Sequence, residues 1–282
     1  VPSARKDKVP PALYMRVVKR LGGIPLSNTC DMGTEVRRLI PMVTALRAIE
    51  QPALAKVEHI LPTFRAVKSV YNVTRERGWR SIYEKDLSNV LYEYQRRKLA
   101  VGYCEEDKRH KGVALWLWGQ IVQERLNRLM KDKRNHYVRK QKDRLLPTGG
   151  RIGDFFDSPE KWGGKDKLIV LPAEKIDAYL EKYDKPKYTR FGSKKMVATC
   201  EWLYASIGSP ALLAKHGWDI FAAMVNLWNE SDMSDGEDSD GEDSDQDSDE
   251  KYSDGEYSVE DIGQYSDGEL NDGEALAGSD DE

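Results

Sequence analysis

Charge is divided along this chain so sharply that only part of it can be expected to fold. Among the 53 residues from Glu230 onward, 23 are Asp or Glu and one, Lys251, is basic. The first 229 residues hold 43 of the 44 Lys and Arg but only 25 of the 48 acids. The two parts therefore carry about −22 and +18, a split hidden by the overall charge of −4. A segment this polar and this uniformly charged cannot bury enough apolar surface to offset its ordering entropy. Residues 229–282 are accordingly predicted to be a disordered acidic tail. A packed core must come from residues before it, enough for one large domain or two modest ones.

The tail has internal order of another kind. Ser-Asp-Gly-Glu begins at Ser234, Ser239, Ser253 and Ser266. Seven serines (Ser234, Ser239, Ser244, Ser253, Ser258, Ser266 and Ser279) have an acid three residues on. That pattern suits acidophilic kinases, and each phosphate would add roughly −1.5 to −2 charges. The plain reading is a solubilising segment. The specific ones are a tail that lies against the basic body and competes with DNA, or one that engages basic nuclear proteins such as histones.

Several classes are disfavoured by what the sequence shows. The longest strongly apolar run, residues 113–118, is far too short to span a bilayer, and no secretory leader is read at the start. The expectation is a nuclear or intracellular protein that is neither secreted nor membrane-embedded. Cys30, Cys104 and Cys200 are too few and scattered for a disulfide framework. His59, His110, His136 and His216 show no zinc-ligand spacing with each other or with the cysteines.

Periodicity outlines the elements. Residues 12–21 read as a helix with Leu13, Val17 and Leu21 on one face, stopped by Gly22-Gly23. Residues 24–30 read as a strand ending at Asp31. Residues 34–49 have helical spacing, with Pro41 a point for a kink. Residues 67–91 look mostly helical, locally weakened by Gly78. After a charged loop at 105–111 comes the clearest helix, with Leu117, Ile121, Leu126 and Met130 on one face and Arg125, Arg128, Lys131 and Arg134 largely away from it. A short strand is expected at 168–171, and helices at 172–183, 194–206 and 218–228. Helix, strand and helix with a carboxylate at the strand tip suggest an α/β sheet whose site gathers at the strands' carboxyl ends.

The order of several motifs carries a resemblance. They are Gly22-Gly23-Ile24-Pro25, Cys30-Asp31-x-Gly33-Thr34-Glu35, Lys68-Ser69-Val70-x-Asn72, Glu76-Arg77-x-Trp79, Leu146-Pro147-x-Gly149, Pro159-Glu160-Lys161-x-Gly163-Gly164 and Gly208-Ser209-Pro210. In this order, residues 12–228 resemble the integrase core domain found in many fungal proteins, related to retroviral-type integrases and transposases. The resemblance implies a ribonuclease H-like fold of mobile-element origin. It implies three acids binding two Mg²⁺ or Mn²⁺ ions, for attack of water or a DNA 3′-hydroxyl on a phosphodiester. Asp31 falls on the family's second acid and Glu76 on its third, with 44 residues between them.

The family's first acid, borne by its first strand, has no counterpart in this sequence. Asp7 lies in an Arg/Lys/Pro-rich stretch unlike that strand. Thr74-Arg75 replace the family's Arg-Ile, and Gly78 its leucine. The expectation is an α/β chain: a partial ribonuclease H-like core without its opening strands over residues 1–100, a largely helical part of the core region over 101–228, and the tail. The resemblance implies strand transfer as the ancestral chemistry, expected to be inactive in this chain.

DNA is the partner that the resemblance and the basic body jointly suggest. Lysine and arginine supply sequence-independent affinity by releasing counterions. Candidate contacts are Lys68, Asn72 and Arg77 around the expected metal site, and Arg125, Arg128, Lys131, Arg134, Arg139, Lys140 and Lys142 in the basic stretch. Self-association is compatible with the sequence. Asp31 alternatively reads as a turn aspartate before Gly33, Glu35 as a first-turn helix glutamate, and the charge run as a solvated face. Trp79, Trp116, Trp118, Trp202, Trp218 and Trp228 are expected in the core rather than as stacking platforms.

Overall fold

The computed structural model describes residues 6–31, 33–67, 73–144 and 146–231, with the side chains of 31, 66, 67 and 73–76 excepted. The acidic tail, Lys68 and Asn72 lie outside the described residues. What is described is mixed α/β and mostly helical.

Helix α1, Val9–Leu21, begins three residues earlier than periodicity suggests. Pro10 and Pro11 fall in its first turn, where backbone N–H groups have no helical partner to lose. Its buried side chains are Val9, Pro11, Ala12, Met15 and Val18. The expected face of Leu13, Val17 and Leu21 is not the buried one, because the helix packs through Met15 and Val18 instead. Gly22 ends it in the left-handed region at φ 74°, donating its N–H to the Val18 carbonyl at 2.8 Å.

Strand β1, Gly23–Ile24, follows. Strand β2, Asn28–Asp31, then leads through a 3-10 turn at Thr34–Val36 into α2, Leu39–Glu50. Pro41 is the third residue of α2, so it lies in the first turn and breaks no helical hydrogen bond. After the short α3, Pro52–Ala55, comes β3, Phe64–Val67. The expected helix over 67–91 is therefore corrected. Val67 ends a strand, α4 spans Val73–Ile82, a π-helical turn covers Tyr83–Leu87, and α5 spans Ser88–Arg97. The irregularity falls at the π turn and not at Gly78, which α4 passes through.

The remaining elements are α6 at Lys108–Asn135, β4 at Tyr137–Val138, β5 at Gly150–Arg151 and α7 at Ile152–Asp157. Then come β6 at Ile169–Val170, α8 at Ala173–Tyr183, α9 at Lys194–Ser206 and α10 at Gly217–Glu230. Asp107 caps α6, its carboxylate accepting from the N–H groups of Arg109 at 2.7 Å and His110 at 3.1 Å.

Among the described residues the strands form three two-stranded sheets: β1 antiparallel to β6, β2 parallel to β3, and β4 antiparallel to β5. Two apolar clusters hold the body, and they interleave along the chain. One joins Met15 and Val18 of α1, Ile24 of β1, Met42, Val43 and Leu46 of α2, Ile169 of β6 and Ile176 of α8. The other joins Val90 of α5, Val113, Leu117 and Ile121 of α6, Cys200 and Leu203 of α9, and Trp218, Phe221 and Met224 of α10. Gly23 is required at the β1–β6 contact, because a Cβ there would lie 2.4 Å from the Ile169 carbonyl oxygen.

Candidate functional site

The β2–β3 pair positions the first candidate residue. The strands run parallel in register, Asn28 opposite Phe64 and Asp31 opposite Val67. Both therefore end on the same side of the pair. Asp31 is the last residue of β2, and the chain leaves β3 at that side on its way to α4, whose fourth residue is Glu76. The side chains of Asp31 and Glu76 are not among those described. Arg77 of α4 is exposed.

One buried arginine fixes the start of this pair. Arg47, on the inner face of α2, is 1% exposed. Its guanidinium donates to the carbonyls of Leu26 and Leu61, both at 2.7 Å, and pairs with the Glu58 carboxylate. Glu58 in turn accepts from the Thr63 N–H at 2.6 Å and the Thr63 hydroxyl at 2.9 Å. The Asn28 N–H donates to the Thr63 carbonyl at 2.8 Å, so the network ends on the first residue of β2. Sequence reading misses Arg47, because an arginine on an amphipathic helix looks like a solvated residue.

A cavity of about 490 Å³ beside the turn after β2 is lined by Lys6, Asp7, Lys8, Thr34, Arg37 and Tyr188. Asp7 faces Arg38, accepting from its Nε at 2.6 Å. Glu35 occupies the 3-10 turn with its carboxylate folded against Gly33. The cations of this cavity were not among the expected contacts; their only sequence signal is the Lys/Arg-rich opening.

The basic stretch divides in two. Beyond Ile121, α6 leaves the core: Leu126 is half-buried and Met130 is exposed, so the expected apolar face ends midway along the helix. Arg125 pairs with Asp86 of the π turn at 2.5 Å, Arg128 with Glu124 at 2.9 Å and Arg134 with Asp157 of α7 at 2.6 Å. These three cations have structural partners. Lys131, Arg139, Lys140 and Lys142 are exposed and have no carboxylate partner among the described residues. Lys131 lies on α6, and the other three in the loop between β4 and β5. His136 caps the end of α6 and Tyr137 opens β4, both exposed.

The tryptophans also divide. Trp116, Trp118, Trp218 and Trp228 are buried as expected. Trp79 and Trp202 are exposed instead, a correction to the expectation that all six lie in the core. Trp218 anchors the aromatic core, donating its indole N–H to the Tyr94 carbonyl at 2.8 Å. Burial pushes two groups of the interior up to about 12, the Tyr14 hydroxyl and the Cys200 thiol.

Among the described residues no three His, Cys, Asp or Glu side chains converge on a metal position, a set that leaves out Asp31 and Glu76. No described helix is long and apolar enough to cross a membrane. Compared with protein-family models, curated proteins and solved structures, the chain matches none.

Proposed function

We propose that the body is a DNA-binding module of mobile-element origin, an integrase core-like domain with ribonuclease H-like ancestry. The observation that carries the reading is the set of exposed cations Lys131, Arg139, Lys140 and Lys142, unpaired with any described carboxylate, in a body of net charge about +18. Unpaired surface cations retain their full attraction for phosphates, whereas Arg125, Arg128 and Arg134 already answer a neighbouring acid. Arg77, exposed on α4, adds a further cation.

The ancestral chemistry draws its support from element order. A strand ending in Asp31, a parallel strand beside it and a helix bearing Glu76 would bring two hard oxygen donors to one end of a sheet. Such donors suit Mg²⁺ or Mn²⁺, which would stabilise charge on an attacked phosphodiester. The chain's own contribution would be to hold the two carboxylates and, through its cations, the phosphate backbone.

The test is binding of the full chain to a labelled DNA duplex across a salt series. Changing Lys131, Arg139, Lys140 and Lys142 together to Gln should weaken binding evenly across sequences. The slope of affinity against salt should fall by roughly one for each lost phosphate contact. An unchanged slope would remove this surface from the interface. Mg²⁺-dependent nicking abolished by Asp31→Asn would add retained catalysis, and nicking indifferent to that change would remove Asp31 from the chemistry.

A second reading rests on the tail alone, whose 23 acids and one base suit basic nuclear proteins such as histones. Histone capture lost on deleting residues 230–282, with no DNA binding by the full chain, would favour it.

A further inference from the structure

Two large aromatic side chains stand in solvent on one side of α4. Trp79 is 61% exposed, and Tyr83, the first residue of the π turn that continues α4, is 52% exposed. A spacing of four residues puts them on the same helical face. The other strategy for such residues is visible in the same body, where Trp116, Trp118, Trp218 and Trp228 are buried. An aromatic pair left in water forgoes a large hydrophobic gain, so its surface calls for an occupant.

The surroundings specify the occupant's chemistry. Arg80 of α4, three residues before Tyr83 and so beside it on the helix surface, is exposed and has no carboxylate partner among the described residues. The next exposed charges, Glu84 and Lys85, offset each other. The same π turn carries Asp86, which grips Arg125 of α6 at 2.5 Å, so the aromatic face adjoins the helix that leads into the basic stretch. Flat aromatic faces interleaved with cations are what an unpaired nucleic-acid strand uses, the bases stacking and the phosphates meeting the guanidinium groups.

We propose that Trp79 and Tyr83 form a stacking platform for unpaired bases of a single DNA strand, with Arg80 holding a phosphate beside them. The proposal rests on the DNA-binding reading and narrows it to the form of DNA that this helix engages. Duplex DNA keeps its bases stacked on one another and gains nothing from such a platform.

The experiment compares full-length Trp79→Ala, Tyr83→Ala and Trp79→Phe with the parent chain. The probes are a fluorescent oligothymidine of about 20 nucleotides and a labelled hairpin duplex. Far-UV circular dichroism establishes that each variant is folded. Each alanine change should weaken oligothymidine binding roughly tenfold. Duplex binding and the salt slope should be unchanged, and Trp79→Phe should keep most of the affinity. Equal losses on both probes, or no loss on oligothymidine, would overturn the platform. Self-association lost in the alanine variants with oligothymidine binding intact would assign the face to a second copy and overturn it equally. A parent chain that binds duplex but not oligothymidine would refute the platform while leaving the DNA reading in place. A parent chain that binds neither would refute both.

Discussion

Replacing Arg47 by methionine keeps the aliphatic stem against the core and removes the guanidinium at its end. Two hydrogen bonds at 2.7 Å, to the Leu26 and Leu61 carbonyls, disappear along with the pairing to Glu58. Hydrogen bonds to a charged group contribute about 1.5–3 kcal/mol each. The full sum would overstate the loss. The Glu58 side chain is 38% exposed and keeps both of its bonds from Thr63, and the two leucines are only half-buried, so water takes over part of each role. Methionine also spares the cost of burying a cation. The net destabilisation should be about 3 kcal/mol, the lower end of what breaking a buried ion pair produces. For a body of this size that is a fall of about 6–12 °C in Tm. Thermal unfolding of the full chain, followed by far-UV circular dichroism, reads it directly. Pairing the change with Glu58→Gln should cost less than the two changes summed, because they share one network. A fall below about 3 °C, or strict additivity, would refute the claim that Arg47 clasps the entry to β2 and β3.

Two further outcomes follow from titratable groups. Lys175 donates to Glu50 at 2.8 Å and is the largest cause holding the Glu50 carboxyl below its ordinary 4.5, with Tyr179 adding a second bond at 2.9 Å. A depressed carboxylate stabilises the fold fully above its unfolded value and loses that contribution as pH falls through the folded one. Tm measured from about pH 6 to pH 3 should therefore fall less steeply in Glu50→Gln than in the parent, with the gap closing below 4.5; parallel profiles would refute the contribution. Alkylation of the native chain near pH 8 should modify exposed Cys104 and spare Cys200, whose thiol burial pushes up to about 12, until the chain is denatured. Equal rates at the two positions in peptide mapping would contradict the packing of α9.

The candidate carboxylates, Asp31 and Glu76, were legible only as positions in a pattern. The strand tip at Asp31 follows from its neighbours, since a short β-prone segment precedes it and Gly33 follows. The second strand was hidden, because Phe64–Val67 adjoins a long run with helical spacing and reads as part of it. Pairing with β2, more than thirty residues back, decides the state of those four residues. The basic stretch was equally visible as composition. Composition cannot separate Arg125, Arg128 and Arg134, which pair with acids, from Lys131, Arg139, Lys140 and Lys142, which have no described acid opposite.

By itself the sequence determined the features that short-range chemistry controls. The charge division between body and tail is plain arithmetic. The stop at Gly22 follows from the left-handed backbone that a helix end favours, and α8, α9 and α10 fall within a residue or two of their periodic segments. The tertiary structure decided what depends on a distant partner. It joined β1 to β6 across a gap that only a glycine at position 23 allows. It buried Arg47 while leaving Trp79 and Tyr83 in solvent, the reverse of what side-chain polarity alone suggests. Periodicity records which residues share a face of a helix; only packing settles whether another element covers that face.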